Sequence, residues 1–365
     1  MKVCFLHVGF LKAGGIERAT SMLLNALCEE KDFEVHSLGL LKPEGANAYE
    51  LKDAVVDSTL YDFGTTMFEA LTKHKAIQKT VKYIKDNKID IIVGCGSVYF
   101  LLAVIAAKLC HIKSICWEHT NPKITTEFKF QKQIRSFGCR FSSANVLITK
   151  KALSFYNAKR KKNNYLIYNP IDNALLDSEV CYNTDSKKII SVGRLEKVKN
   201  YDIVVELCKH LSEKFPDWSW DIYGDGSQRE HLQKLIEENG VSHFLCLKGN
   251  STEIYKKYDE YAFIVMTSQY EGFPMVLLEA SARGLPLVSF DIETGPDEII
   301  CDGHNGYLIP DYNREFLLGK IAELMRDSEK RKSMSDNAQK RAKTFYLKQI
   351  IPEWKKVFEE VLYGN

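Results

Sequence analysis

Long hydrophobic runs are missing from this chain. The longest, Val98–Ala107, covers about half of the ~20 residues that a bilayer-spanning helix needs, and it suits a buried core helix. The apolar N-terminal run is interrupted at Lys12 and leads into Gly14-Gly15 rather than a cleavage site, so it predicts a buried first strand and not a signal peptide. We therefore expect a cytoplasmic protein that is neither secreted nor integral to a membrane.

An excess of charge of one sign is also lacking. The 365 residues include 50 basic and 48 acidic side chains, whereas a nucleic-acid-binding domain shows a strong basic excess, so no nucleic-acid partner is expected. No two cysteines have the Cys-x-x-Cys spacing, which argues against zinc and thioredoxin-type sites. Most of the ten cysteines lie in apolar runs, as Cys246 does, and are expected to be buried free thiols in a reducing compartment.

Apolar runs alternate with amphipathic stretches along the chain, a pattern typical of βαβ units and parallel sheets. In the first half the predicted strands are Val3–Gly9, Phe33–Leu40, Ile89–Val93, Ser114–Trp117, Ala144–Thr149 and Tyr165–Tyr168, with helices that include Glu17–Glu29, Ala70–Asn87 and Val98–Leu109. In the second half the predicted strands are Ile189–Val192, Trp218–Tyr223, Phe244–Leu247, Phe263–Thr267 and Pro286–Phe290, with helices Asn200–Lys214, Ser227–Glu238, Glu253–Tyr261 and Met275–Arg283.

The alternation breaks at Tyr168-Asn169-Pro170-Ile171-Asp172, and a polar stretch follows. A chain of this length suits two domains of ordinary size. We predict an N-terminal domain over 1–172, a C-terminal domain over 173–345 and a final amphipathic helix over 346–365. Ligands of doubly wound sheets bind beyond the carboxyl ends of the strands, so the expected site is a cleft between the two domains.

The segment Ser191–Asn200 joins a predicted strand to a predicted helix. It places Arg194 and Lys199 at the mouth of a parallel sheet beside a helix N-terminus, where fixed positive charge can hold a diphosphate. A solvated basic loop would have the same composition, and only the motif that follows favours the binding interpretation.

The second motif is Tyr270–Ala280, which follows an apolar strand and carries two glutamates in a Glu-x7-Glu spacing. Pro274 suits the first position of a helix, so the backbone amides from Phe273 to Leu277 are expected to be unpaired and partly positive. Glu271 can accept hydrogen bonds from sugar hydroxyls, and Glu279 can reach a ribose diol. The strand, the Gly-Phe-Pro turn and the apolar helix around these residues make the motif far more specific than two isolated carboxylates.

Together these segments resemble the retaining GT-B glycosyltransferases often called family 4, and the resemblance covers nearly the whole chain. It is carried by Gly14-Gly15-Ile16-Glu17-Arg18, Tyr168–Asp172, Ser191–Asn200, Glu271–Glu279, Gly295-Pro296-Asp297-Glu298 and Asp302-Gly303-His304-Asn305-Gly306. It implies an α/β fold of two Rossmann-like, doubly wound parallel-sheet domains facing across a cleft, with an acceptor-binding N-terminal domain. It also implies a nucleotide-sugar-binding C-terminal domain and a C-terminal helix that packs back on the N-terminal domain.

The resemblance also implies roles for individual residues. Gly15 would offer its N–H near the donor phosphate and the acceptor, Arg194 and Lys199 would bind the diphosphate, Glu271 the donor sugar and Glu279 the ribose. His119 would face the transferred sugar, although a structural histidine is an alternative, and Glu118 beside it receives no role. The catalytic set is thus His119, Glu271, Arg194 and Lys199. The donor-binding set is Gly15, Arg194, Lys199, Gly249, Glu271, Gly272, Phe273, Pro274, Met275, Val276 and Glu279.

No Asp-x-Asp motif occurs in the chain, so we expect no metal or other cofactor, with the two cations replacing the metal of other transferases. No carboxylate nucleophile is evident, which together with the resemblance favours retention through front-side attack. UDP-hexose or UDP-N-acetylhexosamine is the expected donor. Alternatives are a GT-B sugar-nucleotide epimerase and a transferase with a soluble small-molecule acceptor. A nicotinamide-dependent oxidoreductase is disfavoured because Gly94-Cys95-Gly96-Ser97 lacks the third glycine.

Two basic clusters interleaved with aromatic residues occur in the first half. One comprises Phe128, Lys129, Phe130, Lys132, Arg135 and Phe137, and the other comprises Phe155, Tyr156 and Lys159-Arg160-Lys161-Lys162. Such clusters can bind an anionic membrane, and solvated helix faces look the same. On the membrane interpretation the protein lies at the inner face of the cell membrane. Its acceptor is then a lipid-linked glycan of capsule, lipopolysaccharide or related surface polysaccharide synthesis.

Overall fold

The computed structural model describes residues 1–11, 14–65, 75–122, 130–160, 163–176, 180–251 and 254–364. Phe128, Lys129, Lys161 and Lys162 of the basic clusters lie outside these residues, as do the first residues of the predicted helices Ala70–Asn87 and Glu253–Tyr261. The chain forms two compact units, which we call the first unit (1–170 with 347–365) and the second unit (171–346). The sequence analysis placed the corresponding boundaries after residues 172 and 345.

The first unit contains a seven-stranded parallel sheet in the order β3-β2-β1-β4-β5-β6-β7. Its strands are β1 (Lys2–His7), β2 (Glu34–Leu41), β3 (Val56–Tyr61), β4 (Ile91–Cys95), β5 (Lys113–Glu118), β6 (Ala144–Leu147) and β7 (Asn164–Leu166). Its helices are α1 (Gly15–Leu27), α2 (Lys75–Asn87), α3 (Phe100–Cys110), α4 (Gln131–Phe141) and α5 (Lys150–Lys159). The central strands are apolar and buried along almost their whole length because helices cover both faces of a parallel sheet.

Strand β3 was not predicted from the sequence. Its residues, Val56-Asp57-Ser58-Thr59-Leu60-Tyr61, are mostly polar and mostly accessible to solvent, so they form no apolar run. The strand lies at the edge of the sheet and pairs with β2 alone. An edge position explains both the exposure and the weak sequence pattern.

The second unit contains a six-stranded parallel sheet in the order β10-β9-β8-β11-β12-β13. Its strands are β8 (Lys188–Val192), β9 (Ser219–Tyr223), β10 (Leu245–Gly249), β11 (Phe263–Met266), β12 (Leu287–Phe290) and β13 (Gly306–Ile309). Its helices are α6 (Asp202–Lys214), α7 (Arg229–Glu238), α8 (Ile254–Lys257), α9 (Met275–Ala282), α10 (Pro296–Ile299), α11 (Arg314–Arg326) and α12 (Ser328–Ala342). The edge strand β13 was missed. The predicted class, two parallel-sheet α/β domains, is confirmed.

The final helix, α13 (Leu347–Tyr363), belongs to the first unit, as predicted. Its predicted apolar face is buried, and Trp354 lies with its ring centroid 6.0 Å from Phe5 and 5.0 Å from Trp117. Burying an aromatic side chain of this size stabilises a fold by about 3 kcal/mol or more. The last residues of the chain therefore complete a core that begins with β1.

The cysteine prediction holds only in part. All ten cysteines are free, and half of them are buried. Cys246 is exposed, contrary to the expectation from its apolar run. It lies on the edge strand β10, where Leu245 and Leu247 point inward and the residue between them points outward because side chains alternate along a strand.

Candidate functional site

In both sheets the strand order reverses beside the first strand of the unit, between β1 and β4 and between β8 and β11. Ligands of doubly wound sheets bind beyond the carboxyl ends of the strands at such a reversal. The loop after β8 carries Arg194, and the loop after β11 carries Glu271. Arg194 and Glu271 therefore lie in the two loops that flank its reversal point, whereas Gly249 ends the edge strand β10.

The loop after β8 is anchored by Leu195, which is fully buried. Its N–H donates to the Asp225 carbonyl at 2.9 Å, and its carbonyl accepts from the Gln228 N–H at 2.8 Å. Gly224 permits this close approach, because a Cβ there would lie 2.0 Å from the Gly193 carbonyl oxygen, and its φ is +140°. The anchoring leaves the neighbouring Arg194 side chain exposed to solvent.

A turn of 3₁₀ helix, Lys197–Lys199, follows and brings Lys199 to Glu271. The Lys199 Nζ lies 2.6 Å from Glu271 Oε1, with the two side chains 17% and 16% exposed. Three further contacts fix the backbone around this pair. Thr267 Oγ1 donates to the Lys199 carbonyl at 2.7 Å, the Gln269 N–H donates to the Val198 carbonyl at 2.8 Å, and Thr294 Oγ1 donates to the Glu271 carbonyl at 2.6 Å.

The structure thus brings together two residues to which the sequence analysis assigned separate partners, a diphosphate for Lys199 and a sugar for Glu271. The ammonium has a single carboxylate partner within the described part of the chain, and both groups reach solvent. Arg194 lies five positions earlier on the same loop, and its side chain is exposed to solvent. An incoming diphosphate can therefore draw Lys199 away from Glu271 at modest cost.

Helix α9 begins at Met275, and Pro274 is its N-cap residue, one position earlier than predicted. The Leu277 N–H donates to the Pro274 carbonyl at 3.0 Å, and the Leu278 N–H donates to the same oxygen at 3.3 Å. The expectation of unpaired amides as far as Leu277 is therefore wrong for Leu277, because the cap carbonyl already closes the first turn. The motif that carries Gly272, Phe273 and Val276 does lie at this helix start.

Glu279 is buried on α9 and accepts a hydrogen bond from the Tyr258 hydroxyl at 3.1 Å. The contact holds the carboxylate inside the unit. Its role toward a ribose stays a prediction. Gly249 ends β10 with a φ of +73°, and its Cα faces the Arg229 guanidinium, since an added Cβ would lie 3.8 Å from Arg229 Nη1.

Sequence reasoning missed several polar groups at this edge of the second unit. Arg229, at the start of α7, faces Gly249 and lies only 4.0 Å from Asp225. Ser268, directly after β11, is buried, and its hydroxyl has no hydrogen-bond partner among the residues described. Thr294 supports Glu271 from the loop after β12. Ser268 and Thr294 lie in loops that follow strands, and that position was the available signal, whereas Arg229 begins a helix and belongs to no recognised motif.

In the first unit, Gly15 is the first residue of α1, which follows the carboxyl end of β1. This places its N–H in the first helical turn, the position that favours an anion. Contact with a donor phosphate stays a prediction.

His119 follows β5 and is 4% exposed, with its ring centroid 4.1 Å from that of Trp117. Neither ring nitrogen has a hydrogen-bond partner in the described ranges. Burial lowers the pKa of His119 to about 3, so the imidazole is neutral at physiological pH. A buried polar ring without partners is costly, and a ligand hydroxyl would relieve that cost. This favours the functional interpretation of His119 over a purely structural one.

Glu118, to which the sequence analysis gave no role, is fully buried and tightly bound. Arg135 Nε lies 2.7 Å from its Oε2, which also accepts from the Tyr156 hydroxyl at 2.9 Å, while Oε1 accepts from the Thr120 N–H and hydroxyl at 3.1 and 2.7 Å. Arg135 also donates to the Pro122 carbonyl at 2.7 Å. This network fixes the loop that begins with His119.

The network corrects the first basic cluster. Arg135 is 2% exposed and paired with Glu118, so it cannot reach a membrane surface. Arg160 of the second cluster is likewise committed, since its guanidinium donates to the carbonyls of Cys139, Ser142 and Ser143. Both side chains point inward because they satisfy buried carboxylate and carbonyl oxygens. Lys132 and Lys159 remain exposed.

Two negative findings concern the described residues. No group of three or more His, Cys, Asp or Glu side chains in those ranges is placed to hold a metal ion. No helix there is long and apolar enough to span a bilayer.

Comparison with known proteins adds sequence and fold relationships. Residues 177–341 match the family model described as glycosyl transferases group 1. An "uncharacterized glycosyltransferase" of Haemophilus influenzae is 26% identical over 361 residues, covering 97% of this chain and 99% of the relative. The GalNAc-alpha-(1->4)-GalNAc-alpha-(1->3)-diNAcBac-PP-undecaprenol alpha-1,4-N-acetyl-D-galactosaminyltransferase of Campylobacter jejuni is 27% identical over 375 residues, covering 99% of each chain.

Among solved structures, a mutant of S. aureus TarM in complex with fondaparinux, alpha-GlcNAc-glycerol and UDP superposes with a TM-score of 0.82. The match covers 98% of this chain and 100% of that one at 15% sequence identity. At that identity the likeness establishes the fold alone.

Proposed function

We propose that this chain, whose residues 177–341 match the glycosyl transferases group 1 and which has the GT-B fold, transfers a hexose or N-acetylhexosamine from a UDP-sugar with retention of configuration. The acceptor is a glycan or a lipid-linked glycan of surface polysaccharide synthesis. The enzyme uses no metal and works in the cytoplasm, at the inner face of the membrane where the acceptor is lipid-linked.

The observation that carries the proposal is the pair Lys199–Glu271, 2.6 Å apart, with the exposed Arg194 on the same loop. Cleavage of a glycosyl–phosphate bond builds negative charge on the departing diphosphate and positive charge on the sugar ring. In this proposal Lys199 and Arg194 oppose the first charge, and Glu271 binds the hydroxyls of the sugar. Fixed charges act strongly in a site from which water is excluded.

The donor and acceptor are argued from the comparisons. The TarM structure holds UDP, and the name of the C. jejuni relative specifies an undecaprenyl diphosphate-linked acceptor and an α-linked product. A transferase that makes an α-linked product from an α-linked nucleotide sugar is a retaining enzyme. These properties belong to those two proteins, and they support the same substrate classes for this chain.

The absence of Asp-x-Asp from the sequence supports the metal-free mechanism. Two side-chain cations would then take the place of a divalent ion at the leaving diphosphate. Treatment with EDTA is expected to leave transfer unchanged, and loss of activity that Mg²⁺ or Mn²⁺ restores would contradict this part of the proposal.

The central experiment is a donor panel. The full chain is incubated with UDP-, GDP- and ADP-sugars, nucleotide release is measured, and proton NMR follows the anomeric configuration of the first product. We expect slow release of UDP and a product of retained configuration. Release of UDP with a free epimerised sugar would favour the epimerase instead. Thermal stabilisation by the same panel identifies the nucleotide independently of turnover, since a ligand that binds only the folded state raises its stability.

Membrane contact is tested separately. Three lysines of the second cluster, Lys159, Lys161 and Lys162, are replaced by glutamine, and pelleting with anionic vesicles is measured at low and high salt. Membrane contact predicts that the replacement or added salt abolishes pelleting. If neither the replacement nor added salt changes pelleting, membrane contact is contradicted, and the proposed acceptor is then soluble.

A further inference from the structure

A cavity in the first unit lies outside every motif that the sequence analysis identified as a donor site. Its volume is about 320 Å³, and it is lined by Pro122, Lys132, Arg135, Phe155 and Lys159. This volume is at the lower end of the range for small-molecule sites, about 300–1,000 Å³. Three of the five described lining residues are basic, and like charges gathered in one cavity repel one another.

Among the described residues, only one of the three basic side chains that line the cavity has a carboxylate partner. Arg135 is balanced by Glu118 at 2.7 Å. Lys132 and Lys159 have no carboxylate within ion-pair distance among the residues described. Lys159 Nζ lies 4.3 Å above the centre of the Phe155 ring, a contact that holds the ammonium against one wall. The described part of the lining therefore carries a net charge of about +2 from its two lysines.

Arg135 contributes directional donors rather than net charge. Its Nε, Nη1 and Nη2 atoms each donate one hydrogen bond, to Glu118, the Pro122 carbonyl and Thr120. A guanidinium has five N–H groups, so two remain for a ligand in the cavity. Because the side chain is buried and held by three bonds, these donors are pre-oriented.

We propose that this cavity binds a phosphate or diphosphate group, and that the acceptor carries it. A phosphate monoester carries about −1.5 to −2 charges near neutral pH, which matches the two unpaired lysines, whereas a carboxylate would leave one of them unbalanced. Arginine and lysine are the usual protein partners of phosphoryl oxygens. Only the identification of the acceptor as carrier rests on the proposed transferase function.

The test measures binding of inorganic pyrophosphate to the full chain by calorimetry in low salt, with UDP at saturation so that the donor site is filled. The pocket variant is Lys132→Gln with Lys159→Gln. The control variant is Lys108→Gln with Lys113→Gln, which removes the same charge from exposed positions of the same unit. Lys108 is closely matched, because its Nζ lies 4.2 Å above the Phe141 ring and it does not line the cavity.

We expect the pocket variant to bind pyrophosphate about a hundredfold more weakly than the wild type, tenfold for each lysine. The control variant should bind as the wild type does. Unchanged affinity in the pocket variant, or equal losses in both variants, would overturn the proposal. UDP affinity is measured on the same samples, so a failure of the nucleotide site is seen separately from a failure of the cavity.

Vesicles of phosphatidylglycerol distinguish the two carriers of such a group. If the acceptor carries the phosphate, such vesicles leave the pyrophosphate affinity of the wild-type protein unchanged. If a lipid headgroup fills the cavity, the vesicles compete with pyrophosphate for the wild-type cavity, and the acceptor is overturned as the carrier.

Discussion

Two ion pairs in this chain have similar lengths but differ in burial and in the number of groups that contact the carboxylate. In one pair the glutamate ends a parallel strand, and in the other it lies in the loop after one. Glu118 and Arg135 lie 2.7 Å apart at 0% and 2% exposure, and Lys199 and Glu271 lie 2.6 Å apart at 17% and 16%. The Glu118 carboxylate accepts from Arg135, Tyr156 and both donors of Thr120. Within the described ranges, the Glu271 carboxylate accepts from Lys199 alone.

The difference indicates which pair can exchange partners. Glu118 has its bonds satisfied in a place that water does not reach, so separating it from Arg135 leaves two buried charges. Lys199 and Glu271 can turn toward solvent or a ligand, and their mutual attraction is weakened by solvent screening. We therefore infer that the Glu118–Arg135 pair maintains the fold, and that the Lys199–Glu271 pair can separate to bind substrate.

The largest expected effect is on stability, from Glu118→Ala. It leaves Arg135 buried without its partner and should lower the free energy of unfolding by about 3–5 kcal/mol, measured by urea denaturation. The double variant Glu118→Leu with Arg135→Met should recover much of that loss, because an apolar pair leaves no charge unpaired. If the free energy of unfolding of Glu118→Ala lies within about 1 kcal/mol of the wild-type value, the Glu118–Arg135 pair does not stabilise the fold as inferred.

The second pair should show the opposite behaviour. Lys199→Ala or Glu271→Ala is expected to raise the activation free energy of transfer by about 3–4 kcal/mol, a loss of roughly 10²–10³ in kcat. The free energy of unfolding should change by less than about 1 kcal/mol. Lys197→Ala, an exposed lysine on the same turn, is the control and should keep wild-type turnover. Near-normal kcat in either variant would show that the site is misplaced.

The pH dependence of stability tests whether His119, directly after Glu118, is as inaccessible to water as the Glu118–Arg135 ion pair. Burial lowers the pKa of both His7 and His119 to about 3, from an ordinary value near 6.5. Between these values the unfolded chain binds more protons than the folded one, so stability is complete above about pH 6.5 and falls as the pH falls.

From pH 7 to pH 5 each histidine should cost about 2 kcal/mol of unfolding free energy. The measurement is urea denaturation at the two pH values, and His119→Asn should remove about 2 kcal/mol of the pH dependence. A difference between wild type and variant that does not change with pH would mean that His119 is solvated.

The smallest effect comes from the backbone ties of the second pair. Thr267→Val removes the hydrogen bond to the Lys199 carbonyl and should reduce kcat by about fivefold, equivalent to roughly 1 kcal/mol. Thr80→Val is the control, since Thr80 Oγ1 donates to the Ala76 carbonyl within α2. Equal turnover in the two variants would show that Lys199 needs no such support.

Much of the fold could be predicted because buried strands such as β1 and β4 are continuous apolar runs. The edge strand β3 was missed because it is mostly polar and exposed, and an edge strand needs no apolar run. The edge strand β13 was missed although its four residues are mostly apolar and buried. The apolar face of α13 was recognised from helical spacing, since that periodicity is a local property of the sequence.

Site residues could be predicted where they stand in a loop that follows a strand. Contacts between site residues that are distant in sequence could not. Arg194, Lys199 and Glu271 stand in recognisable motifs, yet Lys199 and Glu271 are 72 positions apart and nothing local predicts their contact. The prediction that Arg135 belongs to a membrane-binding cluster was wrong for a different reason. A basic residue on an amphipathic helix is usually solvated, and only the folded chain shows that Glu118 is buried beside it.

The free cysteines are divided unequally between the units. All three exposed thiols, Cys181, Cys246 and Cys301, belong to the second unit, whereas every thiol of the first unit is buried or partly covered. A maleimide dye added to the native protein would therefore label one half of the molecule in preference to the other. The unaltered chain thus offers spectroscopists attachment points for following the second unit alone, without engineering a single cysteine.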